Sequence, residues 1–384
     1  MVSTLNIYLE ERFYILNGIY YSQVYHDKFW SRYLSVFSSI NVVARGVEIN
    51  CFNQLPKGYK PNHLAMVHFI KVPNYQGLFS GFIFIPYLFV YLFYVVLRSD
   101  LNILRLPGMI SIIAGFFSIV IGRKFAVELV GDPYEVFSSG VGGKTSGLLR
   151  FIFTGATKKI ISKSNAVAYV TKEKLQKMYV ASPNASPTNY SSIVLDKSLI
   201  LSAKSIRQFD CNYCFNILMV GSLDQRYKGF DLVFLAYHKV RNKFHSVKLF
   251  IIGDGIYRQE LEDLANRLKI RHHVCFLGKV SRDEVLDYMD TADLFIMPSR
   301  TEGLPRALIE AMARGVPAIG SNVGGIPELL SNEFLFEKEN VFELVQQLYK
   351  VIPDYSLRLK MSRLNLKVAQ DYRSDLLEVR RNIF

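Results

Sequence analysis

The second half of the chain alternates short apolar segments with segments in which apolar residues recur at helical spacing. The short segments are rich in β-branched residues and end near glycine or serine, which predicts buried strands. They are "FNILMVGSL", "VKLFIIGDG", "VCFLGKV", "DLFIMPS" and "VPAIGS". Helices are predicted between them, and Ser281 followed by Glu284 is typical of a capping box at a helix start. This alternation favours a parallel sheet covered on both faces, as in a doubly wound Rossmann-like domain.

The first half alternates in the same way, but less regularly. A helix is predicted over 145–163, and the segment 180–214 begins with Ser, Asn and Pro and shows little periodicity, so we place the interdomain linker there. The predicted strands of this half are "LNIYLEE", "SINVVAR", "LAMVHFI", "LNILRLP", "KFAVELVGD" and "NAVAYVT". A length of 384 residues suits two domains. We predict an α/β chain with domains over 1–195 and 196–365, and a charged helix over 366–384 that crosses back to the first domain.

The basic charge of the chain is concentrated in its first half. The net charge is +13, and residues 1–200 hold 20 Lys and Arg against 10 Asp and Glu. Such a bias suits a surface that meets anionic lipid or nucleic acid. Because no zinc-finger spacing or RNP-type aromatic pattern accompanies the charge, we expect no nucleic-acid partner. A soluble protein that is merely basic remains the alternative.

The cysteines do not predict a disulfide framework or a metal site. Four are scattered along the chain, and Cys211 with Cys214 forms a CxxC that has no second pair. We interpret these two as small buried residues at a strand edge. With no secretory leader visible, a reducing cytoplasmic compartment is expected.

The stretch "RTEGLPRALIEAMARG", residues 300–315, carries candidate chemistry. A helix N-terminus presents unpaired N–H groups and a partial positive charge, so Gly303 and Pro305 at the start of the predicted helix suit a phosphate. Glu302 before the helix and Glu310 inside it would accept hydrogen bonds from hydroxyls on such a ligand. A sugar nucleotide supplies hydroxyls on both sides of a diphosphate. The alternative is a surface ion pair between Glu310 and Arg306.

The order and spacing of several motifs closely resemble the nucleotide-sugar domain of retaining glycosyltransferases of family 4, which have the GT-B fold. The motifs are "VGSLDQRYKGFD", "GDG" and "PSRTEGLPRALIEAMARGVPAIGSNVGGIPELL". Residues 1–170 match more loosely through "YLEERF", "RLPG" and "VELVGDPYEVF", which look like bacterial exopolysaccharide and O-antigen enzymes. The resemblance implies two Rossmann-like domains that face a central cleft.

The resemblance also implies roles for single residues. Glu302 matches the glutamate that contacts the donor sugar near the reacting carbon, Glu310 matches the one that binds the ribose, and Lys228 matches the cation that neutralises the leaving phosphate. The implied donor-binding set is Gly221, Ser222, Arg226, Lys228, Gly253, Glu302, Gly303, Leu304, Pro305 and Glu310. Many relatives carry an arginine where this chain has Ser222, and Arg226 is the candidate substitute.

The first domain departs from the family at the position where relatives often place a histidine before an aspartate. Here Gly131 precedes Asp132, so Asp132 joins Glu302 and Lys228 as a catalytic candidate. The predicted acceptor-side set is Glu10, Arg12, Arg105, Glu128 and Asp132.

The implied reaction is transfer from a nucleotide-diphosphate sugar to a lipid-linked saccharide with retained configuration, in bacterial surface polysaccharide synthesis. No Asp-x-Asp motif is visible in the sequence, so we expect no metal and no cofactor. The alternatives are an epimerase or a phosphorylase of the same fold, or a catalytically silent scaffold of a polysaccharide assembly complex.

Residues 78–97 and 109–122 are apolar enough to be candidate membrane-contacting segments. Pro86 is expected to break the first run near its middle, and "LNILRLP" between the two runs reads as a sheet strand. We therefore favour in-plane contact with an anionic membrane over a spanning hairpin or helices buried in the protein or in a homo-oligomer. The predicted location is the cytoplasmic face of the inner membrane, as a peripheral protein.

Overall fold

Two β-sheets, one in each half of the chain, organise the structure. The first compact unit comprises Met1–Tyr190 with Ile383–Phe384, and the second comprises Ser191–Asn382. The structure is a computed structural model, and it describes residues 2–56, 58–75, 77–138, 145–204, 214–224 and 226–384. Cys211 of the CxxC motif lies outside the described residues, whereas Cys214 is partly exposed just before a strand, so it is not the buried residue that we predicted.

The sheet of the first unit has a parallel core with an antiparallel extension. Its strands are β1 Val2–Leu16, β2 Ile19–Ser22, β3 Phe37–Glu48, β4 Lys60–Pro61, β5 Val67–Val72, β6 Leu101–Leu106, β7 Phe125–Leu129, β8 Ala166–Tyr169 and β9 Ser186–Asn189. The parallel strands follow the order β5–β3–β1–β6–β7–β8–β9. The last residues of β1 also pair with β2 in antiparallel orientation, and β2 pairs with β4 in the same way. All the strands predicted in this half are present, so the fold-class prediction is confirmed here.

Helices cover both faces of this sheet. They are α1 Asp27–Leu34, α2 Gly77–Leu97, α3 Met109–Ile121, α4 Pro133–Ser138, α5 Ser146–Ile161 and α6 Lys174–Met178. Along β1, Leu5 and Ile7 point into the core with α1, whereas Tyr8 points into the core with α2 and α3. Trp30 of α1 is fully buried, and its indole N–H donates to Asn62 Oδ1 at 2.7 Å.

The apolar run at 78–97 folds into α2 without a break. Pro86 lies inside the helix, which corrects the prediction that it interrupts the run. It sits on the exposed face, where water can bond the carbonyl that loses its donor. The strand β6 separates α2 from α3 in the chain. Within the described residues, no helix combines the length and the apolar character that crossing a bilayer requires.

The sheet of the second unit is parallel throughout and follows the order β12–β11–β10–β13–β14–β15. Its strands are β10 Phe215–Val220, β11 Val247–Ile252, β12 Val274–Gly278, β13 Leu294–Met297, β14 Ala318–Ser321 and β15 Leu335–Phe336. Its helices are α7 Phe230–Val240, α8 Arg258–Arg267, α9 Arg282–Thr291, α10 Arg306–Ala313, α11 Val341–Val351, α12 Tyr355–Ala369 and α13 Ser374–Ile383.

The local predictions for this unit hold in detail. β10 to β14 match the predicted strands, and Ser281 with Glu284 forms the predicted capping box at α9. The two-residue strand β15 is too short to leave a period in the sequence. The predicted linker over 180–214 contains β9, a strand of polar and partly exposed residues that shows no apolar alternation.

Candidate active site

The site lies at the carboxyl edge of the second sheet, where β10, β11 and β13 end in loops. Gly253 follows β11 with φ +141°, and a Cβ placed there would lie 1.8 Å from the carbonyl oxygen of Gly221. Only glycine therefore fits, because the position demands both the unusual φ and the close approach. This contact packs the loop after β11 directly against the loop after β10.

Lys228 and Glu302 form a mostly buried ion pair between the loops after β10 and β13. Lys228 ends a short 3₁₀ turn, Arg226–Lys228, and its Nζ donates to Glu302 Oε1 at 2.5 Å. The Ser299 hydroxyl donates to the same oxygen at 2.7 Å. The exposed fractions are 16% for the lysine side chain and 9% for the glutamate side chain.

Burial alone would lower the pKa of Lys228, but the adjacent Glu302 carboxylate outweighs it, so the pKa lies above its ordinary value. Lys228 is therefore a positive charge held at the carboxyl edge of the second sheet. Sequence reasoning named both partners but missed Ser299, whose position three residues before Glu302 was the available signal.

Gly303 and Leu304 lead from Glu302 into α10. Pro305 is the N-cap of this helix rather than its first helical residue, which shifts the predicted helix start by one residue. Proline has no N–H, so it adds no donor of its own at this end, and the N–H groups of the first helical turn stay available. The N-terminus of α10 therefore lies directly after the loop formed by Glu302, Gly303 and Leu304.

A glycine pair supports this loop from the side. The N–H of Gly325 donates to the carbonyl oxygen of Gly303 at 2.7 Å. A Cβ on Gly324 would lie 1.9 Å from the carbonyl oxygen of Glu302. These glycines belong to the "NVGGIPELL" part of the motif, for which sequence reasoning gave no separate role. They let the loop after β14 press against the backbone that carries Glu302.

Glu310 lies within α10, and its observed ion-pair partner is Arg282 of α9. Arg282 Nη2 is 3.6 Å from Glu310 Oε1, so the pair differs from the Arg306 pair considered from the sequence. Burial raises the pKa of Glu310, although Arg282 and Arg306 oppose the rise. A partly buried carboxylate whose ion-pair partner lies 3.6 Å away has free acceptor capacity for hydroxyl groups.

Replacing Glu310 by alanine should weaken donor binding and leave turnover of the bound donor nearly intact. A hydrogen bond to a charged group contributes about 1.5–3 kcal/mol, so the Kd for the donor should rise roughly tenfold to a hundredfold. Isothermal titration with the nucleotide measures this. Arg306→Ala is the matched control on the same helix, and a larger effect from the control would remove Glu310 from the donor site.

Arg226 and Ser222 have partners other than the Lys228–Glu302 pair. Arg226 donates to Glu260 at 2.7 Å, and its guanidinium lies over the ring of Tyr257. The Ser222 hydroxyl donates to Asp224 at 2.8 Å. The proposal that Arg226 replaces the arginine missing at Ser222 therefore stays a prediction, and it would require Arg226 to leave Glu260.

In the first unit, Arg105 and Glu128 face each other across β6 and β7 as a buried ion pair. Glu128 also accepts from the hydroxyls of Tyr33 at 2.6 Å and Tyr190 at 2.8 Å. Burial together with the Glu128 charge holds the pKa of both tyrosines well above the ordinary value. The carboxylate is thus enclosed by donors, and its predicted place on the acceptor side has no support from its contacts.

Asp132 is also buried, at the start of α4. It accepts from Tyr179 Oη at 2.5 Å and from the Tyr134 N–H at 2.9 Å, whereas Oδ2 has no hydrogen-bond partner in the part of the chain that the structure describes. Burial raises the pKa of Asp132, while the Tyr179 hydrogen bond opposes the rise. Oδ2 is also shielded from solvent, so the predicted catalytic role of Asp132 stays a prediction.

The remaining acceptor-side candidates surround a bulge in β1, where its pairing with β3 shifts between Tyr8 and Arg12. Glu10 accepts from Tyr75 and from the Ile110 N–H at the start of α3, and Arg12 donates to Asn74 at 3.1 Å. Sequence reasoning missed Glu11 in the same bulge.

Glu11 differs from its neighbours in its electrostatics. Burial raises the pKa of Glu11 to about 7, although Arg45, Arg105 and Arg12 oppose the rise. Carboxylates and guanidinium groups therefore lie close together around the bulge, at the carboxyl edge of the first sheet.

Comparison with known proteins identifies the second unit. Residues 215–367 match the family model described as glycosyl transferases group 1. This segment is a glycosyltransferase group 1 domain. It contains Lys228, Glu302 and Glu310, and it begins at the first residue of β10.

Similarity to individual proteins extends over the whole chain. Protein CapJ of Staphylococcus aureus is 25% identical over 94% of this chain and 90% of its own length. A sucrose-phosphate synthase from Thermosynechococcus elongatus superposes with a TM-score of 0.72 at 14% identity, over 99% of this chain and 98% of that one. Anabaena HepE, solved with UDP-glucose, superposes with a TM-score of 0.66 at 15% identity, over 100% and 98%. These likenesses confirm the GT-B fold that the sequence predicted.

Proposed function

We propose that the protein is a retaining glycosyltransferase of family 4 that moves a sugar from a nucleotide-diphosphate sugar to a saccharide acceptor. The observation that carries the proposal is the buried Lys228–Glu302 pair beside the N-terminus of α10, within a glycosyltransferase group 1 domain. The crystal structure of HepE with UDP-glucose supports a nucleotide sugar as the donor class.

The proposed mechanism follows from where charge develops. The bond between the anomeric carbon and the diphosphate oxygen breaks, and its electron pair stays on the diphosphate. Lys228 and the N–H groups at the start of α10 stabilise that negative charge. Glu302 stabilises the positive charge on the sugar ring. The acceptor hydroxyl then forms the new bond on the same face and gives its proton to the departing phosphate.

A screen of donors tests this function. Thermal shift with UDP-, GDP- and ADP-sugars should select one nucleotide, because a ligand that binds the native state raises the melting temperature. The selected donor should then be consumed only when a saccharide acceptor is present. Consumption of the donor without an acceptor would indicate an epimerase or a hydrolase. Transfer of the sugar to free phosphate would indicate a phosphorylase. Binding without turnover would indicate a silent scaffold.

Transfer should not require a divalent ion, because Lys228 and the start of α10 can supply the positive charge that a metal provides in other enzymes. Within the described residues, no cluster of three or more His, Cys, Asp or Glu side chains could hold one. We expect activity in excess EDTA to stay within about twofold of the untreated enzyme. Activity that vanishes with EDTA and returns with Mn²⁺ or Mg²⁺ would contradict this.

We further propose a lipid-linked acceptor in bacterial surface polysaccharide synthesis, at the cytoplasmic face of the inner membrane. α2 supports this because it is apolar on two sides. Leu88, Leu92 and Val96 face the core, whereas the outer side also carries large apolar residues. The exposed apolar residues of α2 and its neighbour α3 are Ile83, Tyr87, Phe89, Val90, Tyr94, Leu97, Phe116 and Val120.

The protein should bind anionic vesicles and be partly released by salt or alkaline carbonate. Each Lys or Arg near such a surface contributes about 1 kcal/mol, and shallow burial of the exposed apolar side chains adds to it. The double variant Phe116→Glu with Val120→Glu should lower vesicle binding by about tenfold or more. Phe342→Glu, an equally exposed position in the second unit, is the control. If the wild-type protein does not bind anionic vesicles, the proposal of a lipid-linked acceptor loses its main support.

A further inference from the structure

Arg300 lies two residues before Glu302, and its guanidinium is mostly buried, with an exposed fraction of 14%. It donates to both carboxylate oxygens of Asp231, in the first turn of α7, at 3.0 and 2.7 Å. Its Nε donates to Glu339 at 2.8 Å. A guanidinium that is buried and bonded in three directions is a fixed element of the structure rather than a solvated surface charge.

The third direction leads to the turn that carries Lys228. Arg300 Nη1 donates to the carbonyl oxygen of Arg226 at 2.7 Å, and the Arg300 backbone N–H donates to the carbonyl oxygen of Tyr227 at 2.6 Å. These are the two residues directly before Lys228. Arg300 therefore ties the first two carbonyls of the turn to the loop after β13.

The other side of the turn is held by close packing. Gly229 follows Lys228 with φ +70°, and a Cβ there would lie 2.1 Å from the carbonyl oxygen of Pro298. Gly229 thus packs against the loop after β13, and Arg300 of the same loop is hydrogen-bonded to the turn. The position of the Lys228 ammonium relative to Glu302 follows from both contacts.

We propose that Arg300 is a positioning residue for the Lys228–Glu302 pair. It fixes the Arg226–Lys228 turn to the loop that carries Glu302, so that Lys228 meets the diphosphate without reorganisation. Arginine suits this task because its planar fork binds the Asp231 carboxylate and a carbonyl at once, whereas a lysine ammonium lacks this fixed geometry. The predicted effect on transfer rests on the proposed function, but the effect on the turn does not.

The first measurement needs no substrate. Hydrogen–deuterium exchange of the segment 226–234 should be at least about tenfold faster in Arg300→Gln than in the wild type, because the turn loses its tie to β13. Glu339→Gln is the matched control: it removes the negative charge of an exposed partner of the same guanidinium and leaves the carbonyl bonds intact, so its exchange should stay within about twofold. Unchanged exchange in Arg300→Gln would overturn the proposal.

The second measurement is a double-mutant cycle on transfer. Arg300→Gln should lower kcat by roughly 10- to 100-fold in the wild-type background, but by less than about threefold in a Lys228→Ala background, because it acts through Lys228. A purely structural loss would lower kcat equally in both backgrounds, and that result would overturn the proposal. Arg300→Lys should fall between the wild type and Arg300→Gln.

The role of Arg300 can be tested even when the variant does not fold or the enzyme transfers no sugar. Should Arg300→Gln fail to fold, Asp231→Asn and Arg300→Lys weaken the same contacts more mildly, and faster exchange of 226–234 is still expected. Should the wild type transfer no sugar, the proposed function fails, and the exchange data alone decide the role of Arg300.

Discussion

Replacing Lys228 by alanine is expected to lower kcat/KM by roughly 30- to 1000-fold. The loss corresponds to about 2–4 kcal/mol, the range for removing one preorganised contact to charge that develops in a transition state. The structure supports this because Lys228 is buried at a strand end beside the start of α10. Steady-state kinetics with the donor chosen by the thermal-shift screen measure the loss. A decrease below about threefold would contradict the assigned role.

The same variant should also be less stable, because Glu302 stays buried and keeps, among the described residues, the Ser299 hydroxyl as its one hydrogen-bond donor. Removing one member of a buried ion pair costs about 3–5 kcal/mol. The double variant Lys228→Met with Glu302→Leu is the matched control, since it removes both charges and keeps similar volume. It should recover most of the stability and none of the activity. Recovery of activity would mean that the pair is only structural.

Replacing Glu302 by glutamine is expected to lower kcat by roughly 100- to 1000-fold while the Kd for the nucleotide changes only a few-fold. Glutamine keeps the size and an acceptor oxygen for Lys228 and Ser299, but it loses the charge that stabilises the sugar cation. An interaction made only in the transition state lowers kcat and kcat/KM equally. Single-turnover kinetics together with nucleotide titration separate the two effects.

Glu310→Ala is the comparison for this result, because it should move Kd rather than kcat. Equal and mild effects from the two variants would mean that both glutamates serve only as ion-pair partners, of Lys228 and of Arg282.

The sequence predicted which residues and strands form the site better than it predicted the contacts between them. Lys228 and Glu302 each follow an apolar segment that reads as a strand, so their places at strand ends were predictable. Their contact spans 74 residues and depends on β10 lying next to β13 in the sheet. Periodicity predicts the strands but not their order in the sheet. Only the resemblance to a known family placed Lys228 and Glu302 in the same site.

Other contacts had no sequence signal at all. Arg300 stands beside Glu302 in the chain, but Asp231 is 69 residues away and Glu339 is 39 residues away. In the first unit, Arg105 and Glu128 were predicted on two consecutive strands of the chain, but that these strands pair and bring the two residues opposite each other was not predicted. The hydroxyls of Tyr33 and Tyr190 that enclose Glu128 come from distant parts of the chain. Burial of these side chains is a tertiary property that residue type does not encode.

Trp30 gives the molecule a built-in optical reporter of one unit. It is the only tryptophan in the chain, and it is fully buried in the core beneath α1 of the first unit. Its fluorescence therefore follows the melting of that unit, whereas circular dichroism follows both. Chains with more than one domain often unfold in separate steps. A donor nucleotide that binds the second unit should then shift the dichroism transition of that unit and leave an independent tryptophan transition in place.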